Sequence, residues 1–252
     1  MALFKKTAVA LAVTGALAMS GMAQAITVDG ISFGAGGFTF VTSTIMEQKV
    51  GGGLISAVGD ELEGVGQVTQ IYSGSTLVWS NGDNGRELTL YFGGYKATSV
   101  SASQIEFTDG FTKFYSDSTP DANFGTGTGF TDGNLWMDWE AVPFVNTLTG
   151  NTITLKSTGT LLGSSISGTG TGLSKVTGMG AADVYFDTNT YTAIGTGLSA
   201  DWEINSSFNN SSSPFLYGTH GTANASGNAL PEPASLALLG LGALAAAGMS
   251  RR

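Results

Sequence analysis

The chain has 252 residues, no cysteine, 38 glycines and a formal net charge of −9. The lack of cysteine excludes a disulfide framework and a cysteine nucleophile, so stability must come from a hydrophobic core. The acidic balance argues against nucleic acid and anionic membrane surfaces as partners.

The first 25 residues have the pattern of a secretory signal peptide. A basic start and the apolar residues 7–19 precede Ala23 and Ala25, which satisfy the small-x-small rule for cleavage. We therefore expect signal peptidase to cleave after Ala25, so that the mature chain begins at Ile26. Residues 26–230 then hold six Lys or Arg against eighteen Asp or Glu, a net charge of 6 − 18 = −12.

Short β-branched and aromatic segments alternate with clusters of Gly, Asn and Asp, and strong helix formers are scarce. This pattern is typical of all-β domains. We predict a single antiparallel β-sandwich or jelly-roll-like domain at residues 26–204, flanked by the signal peptide and a short C-terminal transmembrane helix. The predicted strands are residues 26–33, 38–45, 66–72, 87–92, 103–107, 111–115, 135–141, 152–157, 184–186 and 200–205.

Three local signals refine this organisation. Asp109 and Gly110 suit a tight type I′ turn, which predicts a hairpin over residues 105–115. Residues 159–180 repeat Gly with Thr or Ser, which indicates a mobile loop or a weak edge hairpin. Residues 205–230 are rich in Ser, Asn, Gly and Thr, and this composition predicts a flexible spacer after the domain.

One predicted strand carries two carboxylates beside an aromatic side chain. Period-2 alternation over residues 135–141 puts Trp136, Asp138 and Glu140 on one face. Residues two apart on a strand are about 7 Å apart, which is within the range of a carboxylate pair for glycoside hydrolysis. The same three residues could instead bind a sugar without catalysis, and a polar outer strand face is the simplest interpretation.

A second acidic stretch suggests a metal. Asp117, Asp121 and Asn123 supply oxygen atoms in a Gly-containing loop, as a Ca²⁺ site requires. The match to an EF-hand loop is partial, and the same residue types are common in turns. Calcium is the one cofactor that the sequence suggests.

The C-terminal residues 231–252 have three consecutive parts. Pro231, Glu232 and Pro233 form a stiff, extended triplet, because each proline fixes φ and restricts its predecessor. The 16 residues 234–249 are small and apolar except for one serine, which gives a short membrane helix of about 24 Å. Arg251 and Arg252 should stay on the cytoplasmic side.

This triplet, apolar run and arginine pair resemble the PEP-CTERM sorting signal of exopolysaccharide-producing Gram-negative bacteria. The resemblance implies a substrate of exosortase, a membrane-embedded transpeptidase that acts near the triplet, and not an enzyme in its own right. It implies export through the inner membrane, transient insertion as an anchored precursor, and a final place at the cell surface or in the extracellular matrix.

Residues 183–224 also resemble flocculation-associated members of the PEP-CTERM group, which implies a role in aggregation within an exopolysaccharide or biofilm matrix. Three functions therefore compete. The first is a non-catalytic matrix or adhesion protein whose partner is exopolysaccharide, and the second is a carbohydrate-binding module that uses Trp136 or Trp139 as a platform. The third is a secreted glycosidase that uses Asp138 and Glu140.

Overall fold

The computed structural model of the protein describes residues 25–231, except residues 35, 164, 212 and 213. The prediction of an all-β, antiparallel fold is confirmed. Its strands are β1 (Ala25–Val28), β2 (Ile31–Gly34), β3 (Gly37–Lys49), β4 (Glu61–Ser73), β5 (Thr76–Ser80), β6 (Glu87–Val100), β7 (Gln104–Thr108), β8 (Phe111–Asp117), β9 (Asn134–Ala141), β10 (Phe144–Val145), β11 (Thr152–Ile153), β12 (Leu155–Thr160), β13 (Ser167–Val176), β14 (Tyr191–Thr192), β15 (Ser199–Ala200), β16 (Trp202–Asn210) and β17 (Thr219–Ala229).

Most strands belong to one sheet that closes on itself, which we call the closed sheet. β3 pairs with β4 and β17, β4 also pairs with β6, and β16 lies between β17 and β13. Two strands share each of the two remaining positions: β7 and β8 beside β6, and β12 and β9 beside β13. Because β7 pairs with β12 and β8 with β9, the ring of eight strand positions is complete.

The predicted hairpin at Asp109 and Gly110 is wrong, although both residues have positive φ, of 60° and 109°. The strands on either side of this pair do not fold back on each other. They continue along the same neighbour, since β6 pairs through Lys96 with β7 and through Gly93 with β8. Asp109 and Gly110 therefore bend the chain between two strands that both lie along β6. They do not form a turn between two paired strands, as was predicted.

A hairpin of β1 and β2 plugs one end of the closed sheet, which we call the plugged end. Its turn residues Asp29 and Gly30 have φ of 49° and 79°, as a type I′ turn requires, so the single strand predicted at residues 26–33 is in fact two. Phe33 is fully buried against the Trp136 ring, with centroids 5.9 Å apart. The Trp136 indole N–H donates to the Val28 carbonyl at 3.0 Å.

The opposite end of the closed sheet is covered by the loop between β3 and β4. Leu54 and Ile55 from this loop join a buried cluster with Leu161, Ile166 and Phe208. The side chains between the two ends alternate strictly along β3, where residues 41–47 point in turn to the interior and to the outer surface.

Both segments of low complexity are central strands. Residues 167–176 form β13, which is paired on both edges, and residues 205–230 contain the end of β16 and all of β17. The predicted spacer is therefore wrong, and the folded domain extends to Ala229. Small residues suit β17 because the chains approach closely there: a Cβ at Gly221 would collide with the Ser207 carbonyl oxygen.

The strand predicted at residues 184–186 is also wrong, because Asp183–Tyr185 forms a short 3₁₀ turn. Within residues 25–231 there is no helix of the length and apolar character needed to cross a membrane. The predicted membrane helix at residues 234–249 and the signal peptide upstream of Ala25 lie outside the described residues.

Candidate functional site

The C-terminal triplet begins directly at the edge of the folded domain. β17 ends at Ala229, which pairs with Gly37 and is buried, and the Leu230 amide donates to the Tyr185 carbonyl at 2.6 Å. Pro231 is exposed and follows at once. The other predicted sorting residues, Glu232, Pro233, Arg251 and Arg252, lie outside the described residues, as does Ala23 of the cleavage site.

The first described residue lies at the same end. Ala25 pairs with Gly34 in the hairpin that plugs the sheet, and Gly34 lies against Ser73 at the end of β4. Ser73 also pairs with Thr39 on β3. Thr39 lies two residues after Gly37, the partner of Ala229. Ala25 and Pro231, the first and last described residues, therefore both lie at the plugged end.

The face predicted for Trp136, Asp138 and Glu140 does not form. Trp136 is 1% exposed and is packed inside the plugged end, so a sugar has no access to its ring. Asp138 is also buried, while Glu140 is exposed and forms an ion pair with Lys175 at 2.7 Å. A register shift in the pairing of β8 with β9 breaks the simple alternation on which the prediction depended.

Asp138 instead belongs to a buried network that holds the chain after β13. Its carboxylate accepts from the Thr177 hydroxyl at 3.0 Å, and its amide donates to the Asp183 carboxylate at 3.0 Å. Asp183 also accepts from the amides of Gly178 and Gly180, and burial raises the pKa of its carboxyl group. These contacts give Asp138 a structural role.

The calcium prediction is corrected in its third residue. Asp117 and Asp121 lie together with Glu87, with one carboxylate oxygen of each within 4.8 Å of the others. Asn123 turns away, because its side-chain oxygen accepts from the amides of Gly125 at 2.8 Å and Thr126 at 3.2 Å. Calcium binding by the two aspartates stays a prediction.

Glu87 was missed because it begins an ordinary amphipathic strand, 30 residues before the acidic loop. It is 1% exposed on the outer side of the sheet. One carboxylate oxygen accepts from the Asp121 amide at 2.8 Å and the Ala122 amide at 3.3 Å, and the other accepts from the Gln67 side chain at 2.9 Å. These bonds fasten residues 118–133 to the sheet.

We predict that Glu87→Gln lowers the free energy of unfolding by about 2 kcal/mol, since the new amide group would face the Gln67 donor and one buried group would lose its partner. Glu203→Gln, the same change at an exposed position of β16, should cost less than about 0.5 kcal/mol. Urea unfolding at neutral pH measures both. Repeating it with CaCl₂ and with EDTA tests the calcium prediction, because bound calcium would stabilise the unmodified protein.

A family model for the PEP-CTERM protein-sorting motif matches residues 229–252. The chain carries a PEP-CTERM sorting motif. No curated protein sequence and no solved structure matches the chain. The motif indicates an exported, exosortase-targeted protein and implies a precursor that is anchored in the membrane by its C-terminus. Its first three residues, Ala229 to Pro231, are the end of β17 and the two residues that follow it.

The folded domain of this chain presents an outer face rich in hydroxyl groups, which we call the hydroxyl face. One row of side chains crosses five neighbouring strands in register: Thr158, Thr169, Ser207, Thr222 and Thr44. Two neighbouring pairs are hydrogen-bonded, Thr158 with Thr169 at 3.2 Å and Ser207 with Thr222 at 3.0 Å. The parallel row beside it holds Lys156, Thr171, Asn205, Asn224 and Thr42.

Two aromatic rings border the hydroxyl face towards the plugged end. Phe40 and Tyr72 are half-buried cross-strand partners with ring centroids 6.2 Å apart. Phe40 is also paired with Ser226, whose hydroxyl lies 3.3 Å from the Tyr191 hydroxyl. No local pattern indicates this arrangement, because its members come from strands that are far apart in the chain.

Proposed function

We propose that this protein is a non-catalytic component of the cell surface or extracellular matrix, exported and processed through its PEP-CTERM motif, and that its hydroxyl face binds neutral exopolysaccharide. Signal peptidase would remove the leader, exosortase would act at the triplet, and the domain would support flocculation within the matrix. The observation that carries the proposal is the uncharged row of hydroxyl groups on an exported domain.

The chemistry of the hydroxyl face suits a hydrated polymer of sugars. Rows of Thr, Ser and Asn offer donors and acceptors at the strand spacing of about 4.8 Å, and each hydroxyl group can act as either. The net charge of −12 on residues 26–230 would repel an acidic polymer, and the row that runs from Thr158 to Thr44 carries no charge, so a neutral polymer suits this face. Phe40 and Tyr72 add an apolar surface on which a sugar ring can stack.

The motif also orients the domain in the precursor. Only Pro231, Glu232 and Pro233 separate Leu230 from the apolar residues, a reach of about 11 Å when fully extended. The plugged end would therefore face the membrane, and exposed apolar side chains surround the exit of the chain, among them Phe38, Val184 and Leu230. The hydroxyl face runs along the side of the closed sheet, where a polymer has access.

Two acidic substitutions should test this proposal directly. We predict that Ser207→Glu combined with Thr222→Glu lowers retention on the host's exopolysaccharide about tenfold. The new side chains introduce charge and bulk at the centre of the row, on exposed positions of β16 and β17. Co-sedimentation with the isolated polymer and a cell-aggregation assay measure the effect.

Thr98→Glu is the matched control, because Thr98 is an exposed threonine on β6, on the opposite side of the closed sheet. It should leave retention unchanged. Equal retention of the double variant and the unmodified protein would contradict the proposal. Release of sugar fragments from the polymer by the unmodified protein would favour the glycosidase alternative, which Glu140→Gln then tests at the exposed carboxylate of the predicted pair.

A further inference from the structure

The interior of the closed sheet is incompletely filled. A cavity of about 80 Å³ lies between the walls, and every one of the eight strand positions contributes to its lining. Most of the lining is apolar, with Val41, Leu90, Phe114 and Ile204 among its residues. A second cavity of about 40 Å³ adjoins it towards the covered end, and the two share Glu47 and Leu62.

Of the residues that the structure describes, Glu47 is the one carboxylate on the lining of either cavity, and neither lining includes a described Lys, Arg or His. It is half-buried and points inward from β3 to the lining. Burial raises the pKa of its carboxyl group to about 7. Among the described residues, the Thr219 hydroxyl is its side-chain hydrogen-bond partner, at 3.3 Å.

The opposite part of the lining holds a donor without a protein acceptor. Trp139 is 2% exposed and lines the larger cavity, and within the described chain its indole N–H has no hydrogen-bond partner. The nitrogen atom has almost no accessible surface, so a molecule in the cavity would contact the Trp139 ring and not its N–H. The cavity thus has one carboxylate acceptor, in Glu47, and mostly apolar walls around it.

We propose that this interior cavity binds one small, mostly apolar, neutral molecule that bears a hydroxyl group, with the hydroxyl hydrogen donated to Glu47. A volume of 80 Å³ corresponds to about five to eight water-sized positions, which sets the size of the ligand at roughly that many non-hydrogen atoms. Short alcohols and simple phenols have this size and chemistry. The site is independent of the hydroxyl face, which lies on the outer surface.

Phenol and benzene are suitable probes, because they differ by one hydroxyl group. The test uses the protein as the producing cell exports it, with calorimetric titration and thermal unfolding. Phenol should bind saturably with one site per chain and raise Tm, and benzene should bind more weakly. Well above pH 7, where Glu47 with its pKa of about 7 is ionised, Glu47→Gln should weaken phenol about tenfold, because a charge-assisted bond becomes a neutral one, and should leave benzene within twofold.

Glu63→Gln is the control for this change, since Glu63 lies on the outer side of β4 and accepts from Gln48 at 3.0 Å. Ala225→Leu and Ala223→Leu each add three carbons to the lining and should abolish binding of both probes. Both variants are made so that the test remains decisive if one of them fails to fold. No saturable binding of phenol to the unmodified protein would overturn the proposal, as would undiminished phenol binding by Glu47→Gln or by a folded filling variant.

Discussion

Replacing Pro231, Glu232 and Pro233 with alanine should trap the protein in the inner membrane, with Arg251 and Arg252 still attached. The two prolines keep the triplet extended, and alanine is the best helix former, so the apolar helix would continue back towards the folded domain. Insertion itself should be unaffected, since residues 234–249 are unchanged. Processing should fall at least tenfold, because the protease would no longer meet a rigid, extended segment.

The position of the triplet makes this effect easy to isolate. Pro231 lies outside the last paired residue of β17, and its side chain is exposed, so the substitution should leave the closed sheet intact. Fractionation of cells and mass spectrometry of the C-terminus measure the outcome. Alanine at Ser118, Thr119 and Pro120, an exposed triplet that also contains a proline, is the matched control and should be processed normally.

Deleting residues 234–252 should fail in a different way. The domain would fold, but without an anchor it should accumulate in soluble form in the periplasm and never meet the membrane enzyme. If the triple-alanine variant left the cell at the normal level with the normal C-terminus, exosortase would not depend on the triplet, and the proposed route to the surface would be wrong.

Composition explains which strands could be predicted from the sequence. Residues 38–45 and 87–92 are rich in β-branched, aromatic or other large apolar side chains, and they form parts of β3 and β6. β17 lacks that signal, because its inward positions are Gly221, Ala223 and Ala225. Its outward positions are polar, so its composition is that of a linker even though it is paired along both edges.

The candidate sites also differ in whether a contiguous sequence segment or the pairing of distant strands defines them. The sorting motif is contiguous in sequence, and its chemistry depends on residue order, so it could be found without a structure. Trp136 was wrongly predicted to be accessible to a sugar, because nothing in its own strand indicates the hairpin that covers it. Val28 of that hairpin lies 108 residues upstream. Glu87 and the hydroxyl face likewise depend on strand order, which local patterns do not specify.

Truncation of the chain after residue 204 should abolish folding. That truncation ends the chain where the sequence alone would end the domain, and it removes β17 and most of β16. The structure pairs β17 with β16 over nine residues and with β3 over eleven. At one hydrogen bond per pair and about 1 kcal/mol per bond, the two ladders together exceed the 5–15 kcal/mol stability of a typical domain.

The loss would extend beyond hydrogen bonds, because an opened sheet exposes its interior. β3 and β13 would each have a bare edge, and Val41 and Ile45 would lose their cross-strand neighbours Ala225 and Gly221 on β17. A chain that ends at Leu230 is the matched control and should unfold cooperatively in urea, with the far-ultraviolet circular dichroism of a β protein. The chain that ends at residue 204 should show no cooperative transition. A sharp transition in that shorter chain would mean that β17 is dispensable and that the closed sheet is not the folding unit.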